Sequence, residues 1–386
     1  MVRAISAAPL SRLLAVATPL LSAVCLAQAP VFTVQSLGGE TPSVNGLNDV
    51  GDSVGTANEG IFPCPAGCAT VWTGKVLETI YPEAYGSVGY SINNASQVVG
   101  YAFTSASVTY PLEAVIWNDS KPSVLPSPGR QYTSTSAVSI NTAGQVVGTA
   151  DVGETGSSSA AVVWNGSTPT VLGLLPGYAS SSASGINDSG LIVGYMCCDD
   201  DTEPKAVVWH GSIPALLPTL APSQAGGSKA VAVNNSGVVV GQANTTVQAT
   251  HAVAWSQGVV TDLGTLGGSH SFAKALNNHG IIVGYSDTVS GQPHAAVWAR
   301  IGAPPQDLNA LVTTTASERF VLTEATGIND SCTIVGNGVV RGTTTELVAV
   351  VLRLTDTSLC VNGLESKEVE ARVGIEPAYT ALQAAA

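Results

Sequence analysis

The chain has 386 residues, only 11% of them charged, with a formal net charge of −13 and no run of even three basic residues. That balance argues against nucleic acid or an anionic membrane surface as a partner. Gly, Ser, Thr, Val and Ala dominate, a composition that points to an all-β, turn-rich protein.

The N-terminus reads as an export signal. Arg3 and Arg12 supply positive charge, Leu13 to Leu26 are largely apolar, and the small residues Ala27 and Ala29 follow. Cleavage is expected after Ala27, giving a signal peptide over residues 1–27, because Pro30 would follow directly on the later cut. Val24 before Cys25 is too large for a lipoprotein signal. No later apolar stretch approaches the ~20 residues that a membrane-spanning helix needs. The mature chain is therefore expected in a secreted, periplasmic or cell-surface location, without a transmembrane segment.

From about residue 31 a nine-residue phrase recurs: aliphatic, Asn, two mostly polar or small residues, usually Gly, then a β-branched run closed by Gly. Its Asn residues are Asn48, Asn93, Asn141, Asn187, Asn234, Asn277 and Asn329, 43 to 52 residues apart. The closing glycines are Gly55, Gly100, Gly148, Gly194, Gly241, Gly284 and Gly336. Each copy holds four short β segments. The first ends at the Asn, and Asn-x-x-Gly is a hairpin signal: Asn bonds its own turn and Gly accepts the left-handed conformation. Ser96 and Cys332 replace that Gly in two copies, so those turns are expected to be less regular. The third segment ends at Trp72, Trp117, Trp164, Trp209, Trp255 and Trp298, with Leu352 in the seventh copy. A fourth segment follows a short polar turn.

Four strands in roughly 46 residues match one propeller blade, whereas an immunoglobulin-like sandwich needs about 100 residues. Runs such as Val238-Val239-Val240 are apolar on both faces, as in a sheet packed between two neighbours. The seventh copy lacks a fourth strand after Leu352, while Val31 to Leu37 form an orphan fourth strand before the first copy. The expected fold is thus a single all-β, seven-bladed β-propeller over residues 28–362, its last blade completed by the N-terminal strand. Residues 363–386 form a non-repeat tail with no structure expected. Its Ala371 to Ala386 segment resembles read-through of a reading frame into a neighbouring tRNA gene.

The copy from Ala273 through Trp298, together with Asp262 to Gly268, resembles the bacterial extracellular HAF-repeat proteins. The likeness spans nearly the whole mature chain. It departs at the naming triplet, where only His251-Ala252-Val253 and His294-Ala295-Ala296 come near. The resemblance implies export and a repeat fold, and brings no activity, cofactor or site residue with it.

Apart from Cys25 in the signal, six cysteines remain, an even number suited to an oxidising compartment. Cys64 and Cys68 are spaced for a local disulfide, and Cys332 and Cys360 flank the last repeat. Cys197 and Cys198 are adjacent, either a strained bridge or two thiols. Only Cys64 and Cys68 have metal-ligand spacing, and no second such pair exists for zinc.

Recurrence of Trp at one strand end argues for rings wedged between blades rather than a sugar-stacking surface, and the Asn set reads as turn structure. His210, His251, His270, His279 and His294 show no metal-binding pattern. His251 and His294 fall where other copies vary, which suggests an exposed edge. No nucleophile elbow or phosphate loop occurs. The loop Asp199-Asp200-Asp201-Thr202-Glu203 is either a solvated acidic loop or a calcium site, without EF-hand spacing. No catalytic, cofactor or metal residue is therefore assigned, and no cofactor is implied.

The reading that follows is a secreted, monomeric binding or adhesion scaffold for an extracellular glycan or protein. The alternative is an extracellular hydrolase or lyase acting on a polysaccharide at the propeller centre. That alternative needs charged groups converging from several inner strands, which show mainly Ala, Ser, Val and Gly. Ligand is expected on the face bearing the variable loops 58–68, 101–113, 195–205, 285–294 and 311–323.

Overall fold

The computed structural model describes residues 31–58, 67–73, 76–79, 86–103, 112–152, 158–197, 203–221, 226–246, 249–313, 319–343, 345–356 and 360. The expected signal peptide, the tail from residue 361 and most of the Asp199–Glu203 loop lie outside these residues. Seven four-stranded antiparallel sheets form a ring, each sheet packed on the next. Blades 1 to 6 are continuous stretches of chain running from Glu40, Gly86, Tyr132, Ser180, Ser228 and Gly267. Blade 7 takes three strands from Phe320 to Leu354 and its fourth from Phe32–Ser36.

This closure follows the expected register, with Val34 opposite Leu352 and Phe32 opposite Leu354. Leu37 N–H donates to the Ala349 carbonyl at 2.9 Å, as Leu125, Leu172, Leu217 and Leu263 donate to Ala114, Ala161, Ala206 and Ala252 in other blades. The N-terminal strand is thus a fourth strand in every respect. It is gripped on its other side as well, through Val31 N–H to the Leu311 carbonyl at 2.9 Å. The Phe32 side chain is fully buried.

The six Trp side chains are buried between blades. Four of them donate Nε1–H to a carbonyl beyond the fourth strand of the preceding blade: Trp164 to Pro126, Trp209 to Gly173, Trp255 to Pro218 and Trp298 to Leu263, at 2.7–2.9 Å. A second bond recurs one strand further in. The hydroxyls of Ser87, Thr135, Ser181, Ser228 and Ser271 accept backbone N–H groups from the third strand of the preceding blade. Buried Pro42 takes that position in blade 1, and there Asn337 bonds both the N–H and the carbonyl of Val44 across the seam instead.

One sequence expectation changes. The turns at Ser96 and Cys332 are as regular as the rest: both residues adopt the left-handed conformation, with φ 57° and 55°. They close the same hydrogen-bonded turn, Ser96 N–H to Asn93 O and Cys332 N–H to Asn329 O, both at 3.0 Å. The buried Asn fixes the turn strongly enough to hold a non-glycine residue there. His251 and His294 are partly exposed and paired: Nδ1 of each lies 2.9 and 2.7 Å from the carboxylates of Asp262 and Asp307.

Cys332 and Cys360 form a disulfide. Cys68 is also disulfide-bonded, while Cys64, its expected partner, lies outside the described residues. No described helix is long and apolar enough to cross a membrane.

Candidate functional site

Each closing glycine faces an irregularity that the sequence pattern does not announce. In all seven blades the first strand carries one extra residue opposite that glycine, a β-bulge at Asn45, Tyr90, Val138, Ser184, Val231, Lys274 and Thr326. The cause is steric. A Cβ at Gly148 would collide with the Ser136 carbonyl oxygen of the bulged strand, and the other six glycines meet the same obstacle. The glycine admits the bulge, and the bulge re-aims one side chain per blade.

Those seven side chains line a chamber of about 440 Å³ in the centre of the ring, within the range of small-ligand sites. Its floor includes Leu47, Ile186, Val233 and Ile328, from the aliphatic position that precedes each repeat Asn. The same aliphatic residues roof a narrower cavity of about 180 Å³ on the Asn side. The first strands run from the face of the variable loops towards the Asn turns, so the larger chamber opens towards the loop face. Residues 59–66, 104–111, 198–202 and 314–318 in those loops lie outside the described set.

The chamber is chemically lopsided. Lys274 and Glu324, from blades 6 and 7, lie 3.8 Å apart, and each side chain keeps about a third or more of its surface exposed. Glu324 is held by a 3.0 Å hydrogen bond from Asn337 Nδ2. The Lys274 ammonium also lies 5.5 Å from the Tyr285 ring, which stacks on Phe272 at 4.6 Å. Burial, then the Glu324 and Asp287 charges, raise the Tyr285 pKa. Tyr90 packs 5.7 Å from Tyr101. Burial first, then that neighbouring phenol, push its pKa up to about 12, so Tyr90 stays a neutral donor. Blades 3 to 5 contribute only Val138, Ser139, Ser184, Gly185, Ile186, Val231, Ala232 and Val233. Near the same end Lys229 lies over the Tyr195 ring at 4.5 Å.

The narrow end is a closed hydrogen-bond ring. Each repeat Asn accepts amides of its own turn through Oδ1, as Asn141 does from Gln145 at 2.9 Å. Its Nδ2 donates to the backbone carbonyl of the next Asn in the ring. The residues after the Asn repeat the linkage, and Asp188 illustrates it. Burial would raise its pKa, but bonds from the Thr142 N–H, the Thr142 hydroxyl and Asn235 outweigh burial and lower it. With its polar groups engaged in the ring, this end is structural.

The sequence candidates do not assemble. His270 accepts the Thr250 N–H, and His279 contacts the Asp330 carbonyl. Among the described residues no group of three His, Cys, Asp or Glu could hold a metal. The inner strands offer mainly small residues to the chamber, as expected, and add Tyr90, Lys274 and Glu324 to them. The signal missed was position, since the residue three before each Asn is the one the bulge displays.

No family model matches the chain, and no curated protein matches it. Among solved structures it is similar to the β-propeller domain of the Trilobed protease from Pyrococcus furiosus, at 10% identity and TM-score 0.45 over 69% of this chain and 81% of that one. It is similar also to the Trypanosoma rangeli sialidase, at 8% identity and TM-score 0.37, over 85% of this chain and 55% of that one. The Aleuria aurantia lectin gives 10% identity and TM-score 0.36 over 69% and 94%. At these identities none of them brings an activity to this chain.

Proposed function

We propose that this is an exported binding scaffold, of the HAF-repeat kind, that takes part of an extracellular glycan or protein into the loop-facing chamber. One observation carries the reading. The seven bulges share one backbone irregularity, yet display an amide, a phenol, two isopropyl groups, two hydroxyls and an ammonium. Residues that maintain the ring, such as Asn, Gly and Trp, are held nearly constant. A position whose geometry is fixed and whose chemistry varies is suited to recognition on a rigid frame. The Cys332–Cys360 disulfide and the signal-like N-terminus support an oxidising, extracytoplasmic setting.

The second reading, an enzyme acting on a polysaccharide, is favoured by the meeting of Tyr90, Lys274 and Glu324. Glu324 is the only carboxylate among the chamber's lining residues, whereas most glycosidases use two. Binding is therefore the better-supported function. The test is a glycan array and an extracellular-protein pull-down with mature chain, followed by titration of each hit against Y90A and T142A. Loss of binding in Y90A alone supports the chamber. Loss in T142A alone moves the site to the Asn face, and release of new reducing or unsaturated ends from a bound polysaccharide makes it an enzyme.

A further inference from the structure

The chamber's polar groups describe the ligand they await. The hydroxyls of Ser91, Ser139 and Ser184, from three successive blades, line it without a hydrogen-bond partner among the described residues. Opposite them stands Lys274, whose 3.8 Å distance from Glu324 is too long for a good hydrogen bond, leaving its donors available. Glu324 is anchored by Asn337, so the lysine is the mobile partner of the pair. Tyr90 adds an aromatic ring to the lining, its hydroxyl bonded to Tyr101. The hydroxyl arc fits a polyhydroxylated ring, and the ammonium fits an anionic substituent on it. Lys274 is the only cation among the chamber's lining residues, and an anionic substituent would take its ammonium from Glu324.

Resting on the chamber reading above, we propose that the group bound there is a carboxylate-bearing sugar of the uronic-acid type, at the end of an acidic saccharide. The carboxylate meets Lys274, the ring hydroxyls meet Ser91, Ser139 and Ser184, and the sugar face lies against Tyr90.

Calorimetric titration of the full mature chain with a galacturonic acid tetramer and with its carboxyl-reduced galactose counterpart tests this. The acidic tetramer is expected to bind about ten-fold or more tightly than the neutral one, a margin that narrows as salt rises. K274M should erase the margin and K274R retain it. Equal affinity for the two tetramers, or a margin untouched in folded K274M, overturns the inference while leaving the chamber reading standing. Binding of neither tetramer also overturns it. The chamber reading fails separately, if a ligand found on the array binds Y90A as it binds wild type.

Discussion

The side-chain amide of Asn329 donates a 3.0 Å hydrogen bond to the backbone carbonyl of Asn48, joining residues 281 apart in sequence. It is the same bond that Asn141 makes to Asn187 at 3.1 Å inside the ring. At the Asn ring, the seam between last and first blades is therefore built like every other interface. Replacing either Asn by Ala leaves one turn amide without its acceptor, worth about 1–3 kcal/mol, and removes one of the two hydrogen bonds to the neighbouring Asn carbonyl, worth about 1 kcal/mol. N141A and N329A should each lower the unfolding free energy by about 2–4 kcal/mol in urea, with N329A no milder than N141A. A negligible effect of N329A would mean that the ring is not closed in solution.

The tryptophans offer a comparison free of large packing differences. Trp209 Nε1 donates to the Gly173 carbonyl at 2.9 Å, while Trp72 Nε1 has no acceptor among the described residues. Both rings are buried. W209F should cost about 1 kcal/mol more than W72F, the net value of one hydrogen bond. Equal losses in urea unfolding would show that ring packing alone determines the position.

The bulge makes the closing glycine indispensable. An alanine methyl at Gly148 would overlap the Ser136 carbonyl, so G148A must shift the first strand and is expected to cost about 3 kcal/mol. Gly166, a turn glycine with φ 59° and open space around it, should accept Asn with little loss. Thermal melts of the two variants separate steric demand from turn conformation.

Asp188 gives the fold a defined acid sensitivity. Its folded pKa is lowered, burial being outweighed by the Thr142 and Asn235 bonds. The carboxylate therefore contributes stability above the unfolded aspartate pKa, and that contribution is lost as pH falls through the lower folded value. Urea midpoints recorded from neutral to strongly acidic pH should fall more steeply for wild type than for D188N. Parallel curves would remove Asp188 from the account.

Much of this architecture was legible because a repeat writes each structural demand seven times. Asn48 and its equivalents marked the turns, Trp72 and its equivalents the third strands, and Val31 to Leu37 the closing strand. The chamber was not legible, for the opposite reason. Tyr90, Lys274 and Glu324 share no residue type, and Lys274 and Glu324 lie 50 positions apart until adjacent blades bring them together. The bulge that displays Tyr90 and Lys274 leaves only an indirect trace, a glycine on the neighbouring strand that reads as a strand end. The replacement of Ser by Asn337 at the seam was equally hidden, since a lone Asn in a β-branched run has no periodic partner.

The central claim is that ligand enters the loop-facing chamber, and filling that chamber tests it most directly. Ser184 lines it on a bulge, where a larger side chain projects into open volume rather than into the packing between blades. Affinity of S184W for any array-identified ligand, measured by titration beside a thermal melt, is the deciding measurement. The account predicts at least about a hundred-fold weaker binding with a melting temperature close to wild type, because steric exclusion removes nearly all of the contact. A folded S184W that binds with wild-type affinity would contradict it.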